Sequence, residues 1–261
     1  MYPQHQRAIQ RLTEHFEPDP NFIALIIGGS IVKGWALENS DVDFVLVATD
    51  EEYARRCATR QFGFVSHDFT DYPDGYVDGK IIDLAFLRDV ADHGSEPARS
   101  AFVNAFTTFS RNPEVDELIK AIPVYPEEGR EERMRAYYNE VLLLNWFVTE
   151  AVKRGNQYLL MRSVADLVLF GGRFVLAHNR ILYPFHKWFM RVLEDAPEKP
   201  ANFMEVTNAV LNNPNVQTAR AFTDMIIEFG GLGEDLHEAG VHFMEEREWN
   251  WRGRKAPIHD W

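Results

Sequence analysis

The sequence predicts an α/β (α+β) domain with a small mixed sheet over residues 1–125, followed by an all-α helical-bundle domain over residues 126–261. Short apolar runs bounded by turn residues dominate as far as about residue 90. Beyond about residue 130, the pattern changes to long helical stretches of bundle length. The acidic segment PVYPEEG, residues 123–129, contains the breakers that separate the two patterns.

Local signals define the elements of the first half. Residues 5–16 have the pattern of an amphipathic helix, which the breaker cluster EPDPN ends. FIALIIGG and SDVDFVLVA predict two buried strands, and SIVKGWALE between them predicts a short helix with Ser30 as its N-cap. Thr49, with Glu52 three residues later, predicts the start of the next helix. FGFVSHDF and GKIIDLAFL predict further strands, and PARSAFVNAFTTFSRN and NPEVDELIKAI predict helices.

The second half begins with two long helical patterns, REERMRAYYNEVLLLNWFVTEAVKRG and QYLLMRSVADLVLFGGRFVLAHN. YPFHKWFMRVLE predicts a third helix, and two or three shorter helices follow it before a tail that contains three tryptophans.

Composition limits the classes of partner. With 27 Lys and Arg against 40 Asp and Glu, the formal net charge is −13, which argues against nucleic acid or an anionic membrane as the main partner and mildly favours a cationic substrate. The single cysteine, Cys57, argues against a disulfide framework or a cysteine-rich zinc site. We find neither a signal-peptide core nor a transmembrane segment in the sequence, so we expect a cytoplasmic protein.

Two aspartates interrupt the second predicted strand at its start. Asp41 and Asp43 are two residues apart, so in a strand they share one face while Val42 packs on the other. Neighbouring carboxylates repel each other unless a cation neutralises them, and oxygen ligands of this kind suit Mg²⁺. A solvated strand edge explains this pair about as well when it is taken alone.

Gly28, Gly29 and Ser30 lie just upstream, between the first strand and the short helix. Glycines allow the backbone to approach a phosphate closely, and a hydroxyl adds a donor. An ordinary strand-to-helix turn also accounts for these residues.

Asp83 stands in the apolar run GKIIDLAFL, where an isolated carboxylate is costly. If this strand lies beside the one that carries Asp41 and Asp43, three carboxylates converge and can hold two metal ions about 3.5–4 Å apart.

Taken together, these motifs resemble those of the nucleotidyltransferase superfamily related to DNA polymerase beta. The match covers residues 26–87 and consists of Gly29, Ser30, Asp41, Asp43 and Asp83, with ten residues between Ser30 and Asp41. The combination of an α/β half and a helical half resembles bacterial nucleotidyltransferases that adenylylate aminoglycosides or lincosamides. The resemblance implies ATP as donor and two Mg²⁺ ions, with Ser30 and the adjacent backbone on the β- and γ-phosphates, Asp41 and Asp43 on both ions and Asp83 on the catalytic one.

Two lysines complete the expected nucleotide site. Many members of the superfamily have arginine at the position of Lys33, and lysine offers phosphate a point charge but no bidentate contact. In similar enzymes a lysine of the helical domain contacts the triphosphate, and Lys187 is our candidate for it. Asp83 is one candidate for the general base, and Glu140 and Asp166, on the long helices, are candidates for acceptor binding or for the base.

We therefore expect a hydroxyl of a small acceptor, such as an aminoglycoside, to attack the α-phosphate of a nucleoside triphosphate. Two alternatives stay open: a protein or tRNA AMP-transferase of the toxin–antitoxin type, and a non-catalytic relic of the fold that binds nucleotide. The sequence leaves the acceptor, the base preference and the oligomeric state open.

Overall fold

The computed structural model describes residues 1–253, and Trp261 of the predicted tail lies outside them. The chain divides into two compact units, Met1–Tyr125 and Pro126–Trp261. The predicted fold class is confirmed, because a small mixed sheet with helices forms the first unit and helices form the second. None of the helices in the described part of the chain has the length and apolar character needed to cross a bilayer.

The first unit contains five strands and six helices within residues 1–125. In chain order they are α1 (Pro3–Phe16), β1 (Phe22–Ile27), α2 (Gly29–Val32), β2 (Val42–Ala48), α3 (Asp50–Thr59), β3 (Gly63–Ser66), β4 (Val77–Ile82), α4 (Leu84–His93), α5 (Glu96–Ser100), β5 (Phe106–Ser110) and α6 (Pro113–Ala121).

The strands form one sheet in the order β3-β4-β2-β1-β5. Only β2 and β4 are parallel; the other neighbours are antiparallel. The side chains of β2 alternate between two cores because successive residues point to opposite faces. Phe44 and Leu46 pack with α1 on one face, whereas Val47 packs with α4 and α6 on the other.

The second unit is helical throughout its described part. Its helices are α7 (Arg130–Lys153), α8 (Gln157–His178), α9 (His186–Glu194), α10 (Phe203–Asn212), α11 (Val216–Gly230) and α12 (Leu236–Phe243), followed by a π-helical stretch (Met244–Glu248) and a 3₁₀ turn (Asn250–Arg252). Gly171 lets α8 approach α11 closely, since a Cβ at this position would lie 2.5 Å from the ring of Phe222.

Three local predictions are wrong, and each has a physical reason. The segment after α5 contains β5 instead of a continuous helix, because FTTFS, rich in aromatic and β-branched residues, pairs with β1. The run GKIIDLAFL is not one strand: β4 ends at Ile82 and α4 begins at Leu84. The N-cap of α2 is Gly28 and not Ser30, and α2 is a single turn.

Candidate active site

The parallel pairing of β2 and β4 determines which carboxylates meet. Asp43 lies directly opposite Asp78 in the register of the two strands. Neighbouring strands are about 4.8 Å apart and register partners project to the same face, so these two side chains lie next to each other. Both residues are half-buried. The sheet therefore brings together a pair of carboxylates that includes one residue the motif analysis did not select.

Asp41 and Tyr76 lie at the same end of β2 and β4 as the Asp43–Asp78 pair. Val42 N–H donates to the carbonyl of Tyr76 at 3.2 Å, which places Tyr76 beside the residue that precedes β2. The pKa of Tyr76 is raised, first by the hydrogen bond that its hydroxyl donates to the Asp41 carboxylate. The negative charges of Asp78 and Asp43 also raise it. The Tyr76 hydroxyl is thus within electrostatic reach of all three carboxylates.

The predicted convergence of Asp83 with Asp41 and Asp43 is wrong. Ile82, the residue before it, lies beside Val47, at the opposite end of β2 from Asp43. Asp83 is five residues beyond Asp78, a distance of about 16 Å along the strand direction. Its carboxylate is the N-cap of α4 and accepts a hydrogen bond from Phe86 N–H at 2.8 Å. That bond explains why a carboxylate is stable after an apolar strand.

The two glycines before α2 are packed against Asp43. Gly28 N–H donates to the Asp43 carbonyl at 3.0 Å. Gly29 has φ +71, and a Cβ on it would lie 1.9 Å from Asp43 Oδ2. Only glycine combines this backbone conformation with so close an approach. Ser30 follows at a buried position.

Lys33, the residue that follows α2, lies close enough to Asp43 for their charges to interact. It is half-buried, and its Nζ stands 5.5 Å from the ring centroid of Trp35. Burial lowers the pKa of the Lys33 ammonium, and the nearby charge of Asp43 acts in the opposite direction. A cation therefore faces the acidic group from the turn that follows β1.

Side-chain hydrogen bonds hold the loop that carries Asp41. The Tyr72 hydroxyl donates to the Ser40 carbonyl at 2.7 Å, and Gln4 Nε2 donates to the Glu38 carbonyl at 2.9 Å. Within the loop, Leu37 N–H donates to Ser40 Oγ at 2.8 Å. Contacts from α1 and from the β3–β4 connection thus fix the backbone just before Asp41.

Within residues 1–253, no group of three or more His, Cys, Asp or Glu side chains is placed so that it could hold a metal ion. The donor set of Asp43 and Asp78 still has the right chemistry, because Mg²⁺ commonly takes one or two carboxylates and fills its other positions with water and phosphate oxygens.

The candidates in the second unit have the following surroundings. Lys187 is exposed on α9, 5.4 Å from the ring centroid of Trp188, and its phosphate-binding role stays a prediction. Glu140 accepts two hydrogen bonds from Arg247, at 3.0 and 2.9 Å. Asp166 accepts one from Arg162 at 2.9 Å. Both acids are ion-paired within their own unit, which favours a structural role for each.

Asp78 and Tyr76 are not among the site residues predicted from the sequence. A signal for both was present, since Tyr76, Asp78 and Lys80 alternate with Val77, Gly79 and Ile81 as in a strand with one buried face.

No family model and no curated protein matches the sequence. Among solved structures, the chain is similar to a nucleotidyltransferase-like protein from Exiguobacterium sibiricum 255-15. The TM-score is 0.49 and the sequence identity 13%, over 98% of this chain and 82% of that chain. This similarity concerns the course of the backbone alone.

Proposed function

We propose that the chain is a metal-dependent nucleotidyltransferase that moves AMP from ATP to a hydroxyl group of a small-molecule acceptor. The observation that carries the proposal is the register of β2 and β4, which sets Asp43 beside Asp78 next to the Gly28–Gly29 turn. A pair of carboxylates beside a glycine turn is what a Mg²⁺–triphosphate group needs from a protein.

In this proposal Asp43 and Asp78 are the first metal ligands. Asp41, which accepts a hydrogen bond from Tyr76, would be a further ligand once that bond is released. When bound, Mg²⁺ would polarise the α-phosphate and stabilise the charge that develops on the departing pyrophosphate.

Side chains and backbone groups of the protein would bind the phosphates and accept the proton of the acceptor hydroxyl. Ser30 and the backbone of Gly28 and Gly29 would hold the phosphates, and Lys33 would add a positive charge on the same side. Asp78, the carboxylate on β4, would orient the acceptor hydroxyl and take its proton as the new phosphorus–oxygen bond forms. Asp83 has no part in this step, because its carboxylate caps α4 about 16 Å from the pair.

The experiment is incubation of the full chain with ATP labelled at the α-phosphate, Mg²⁺ and a panel of acceptors. The panel includes aminoglycosides, which the net charge of −13 favours, together with neutral and anionic hydroxyl compounds, tRNA and protein. We expect Mg²⁺-dependent transfer of label to a small molecule and loss of transfer in Asp43→Asn. Label on tRNA or protein alone would overturn the choice of a small acceptor.

A non-catalytic nucleotide-binding protein is the second candidate. The hydrogen bond between Tyr76 and Asp41 favours it, because this bond engages a carboxylate that catalysis requires. Calorimetry distinguishes the two: Mg²⁺-dependent binding of ATP with no label transfer to any acceptor supports the second candidate, and transfer excludes it.

A further inference from the structure

A cavity of about 320 Å³ opens beside the carboxylate pair, on the same face of the sheet. Asp43 and Asp78 line one end, with the Gly28–Gly29 turn. The cavity lies entirely within the first unit. Its volume is at the lower end of the range for small-ligand sites, with room for about ten water molecules.

The walls of this cavity are apolar away from the carboxylates. The apolar side chains come from two strands, from α4 and α5, and from the turn after α5: Val45, Ile82, Phe86, Val90, Ala98, Ala101 and Phe102. Phe86 lies in the first turn of α4 and is 42% exposed. An exposed aromatic side chain at the rim of an apolar cavity offers a flat surface on which a ring can pack.

A cationic side chain, Lys80, borders the cavity. Lys80 is on the same face of β4 as Asp78 and Ile82, because side chains alternate along a strand. Lys80 is an exposed residue. Lys80 therefore lies between the carboxylate end and the apolar wall, where it can bind an anionic substituent of a ligand.

We propose that this cavity binds the body of the acceptor, and that the acceptor is an amphipathic hydroxyl compound with an apolar ring and an anionic substituent. The hydroxyl would lie at Asp43 and Asp78, the ring against Phe86 and Phe102, and the anion at Lys80. This assignment rests on the proposed transfer reaction, because only that reaction makes the bound hydroxyl compound an acceptor. It differs from the expectation of a polycationic acceptor, whose ammonium groups would lose hydration against an apolar wall and beside a lysine.

The test uses matched probes that share one phenol ring and differ in charge: 3-(4-hydroxyphenyl)propionate, with a carboxylate, and 2-(4-hydroxyphenyl)ethylamine, with an ammonium group. Binding of each to the full chain is measured by calorimetry or ligand-observed NMR in the presence of Mg²⁺. We expect the carboxylate probe to bind at least about tenfold more tightly. Equal or tighter binding of the ammonium probe would overturn the proposal.

Two pairs of variants locate the binding. Lys80→Gln is expected to remove the preference for the carboxylate probe, whereas Lys120→Gln, at an exposed lysine on α6, keeps it. Ala101→Phe adds a ring at the wall of the cavity and is expected to weaken both probes at least about tenfold. Ala54→Phe, at an exposed site on α3, is the control for the added ring. Unchanged binding in Lys80→Gln or in folded Ala101→Phe would contradict the assignment.

The nucleobase of the donor is the other possible source of a ring in this cavity. Simultaneous binding of the carboxylate probe and a non-hydrolysable ATP analogue supports the acceptor assignment, and mutually exclusive binding overturns it in favour of the base. Failure of the proposed transfer reaction would show as lack of label transfer to any acceptor while probe binding persists, so the two failures are distinguishable.

Discussion

Asp78 and Asp83 are five residues apart in the sequence, and their side chains have different roles in the structure. Asp78 faces Asp43 across the β2–β4 pair, whereas Asp83 caps α4. Substitution of each residue should therefore change a different property. Asp78→Asn removes a proposed metal ligand without changing the volume of the side chain, and Asp83→Ala removes the acceptor of the helix cap.

The magnitudes follow from these contacts. Loss of a charged group that stabilises a transition state typically lowers turnover at least about 100-fold, or about 2.7 kcal/mol, and we expect this for Asp78→Asn. The free energy of unfolding of Asp78→Asn should change by less than about 0.5 kcal/mol, since the residue is half-buried and lies within β4. Loss of the 2.8 Å cap in Asp83→Ala should cost about 1 kcal/mol, a fall in Tm of about 2–4 °C.

The assay combines label transfer from ATP with thermal unfolding of the same preparations. Asp83→Asn is the matched control, because asparagine caps helices about as well as aspartate and should preserve both activity and stability. Loss of transfer in Asp83→Asn together with full transfer in Asp78→Asn would refute the assignment of the third carboxylate.

Two further predictions concern the surroundings of the Asp43–Asp78 pair. Gly29→Ala should lower the affinity for Mg²⁺–ATP about tenfold, as measured by calorimetry, because the new Cβ displaces Asp43. Gly34 is the control, since it has a similar φ of +73 and nothing within 4 Å: Gly34→Ala should show in thermal unfolding the same backbone cost of about 1 kcal/mol without the loss of affinity. Equal affinities of the two variants would contradict the contact between Gly29 and Asp43. Tyr76→Phe should raise the affinity for Mg²⁺ about fivefold, since a hydrogen bond worth about 1 kcal/mol no longer competes for Asp41. A weaker affinity in a Mg²⁺ titration would show that the Tyr76 hydroxyl supports metal binding instead.

The sequence predicted the order of most elements because the local signals and the tertiary contacts agree. The apolar runs of β1 and β2 are buried on both faces, and Thr49 caps α3 as its spacing indicates. It failed for β5, where the spacing of Phe102, Phe106 and Phe109 is compatible with a helix and only pairing with β1 makes a strand.

The error at Asp83 has a related cause. An aspartate after an apolar run is compatible with a strand that carries a ligand and equally with the N-cap of the next helix. The apolar spacing of Leu84, Leu87 and Ala91, typical of a helix, favours the cap. The choice of Asp78 requires the register of β2 against β4, which is a long-range contact that local patterns do not contain.

The most direct measurement of the central claim is the binding of Mn²⁺, a spectroscopic substitute for Mg²⁺, followed by electron paramagnetic resonance with a non-hydrolysable ATP analogue present. We expect metal binding that requires Asp43 and Asp78, is lost in Asp43→Asn and in Asp78→Asn, and is unchanged in Asp83→Asn. Metal binding that survives Asp78→Asn at full affinity would contradict it.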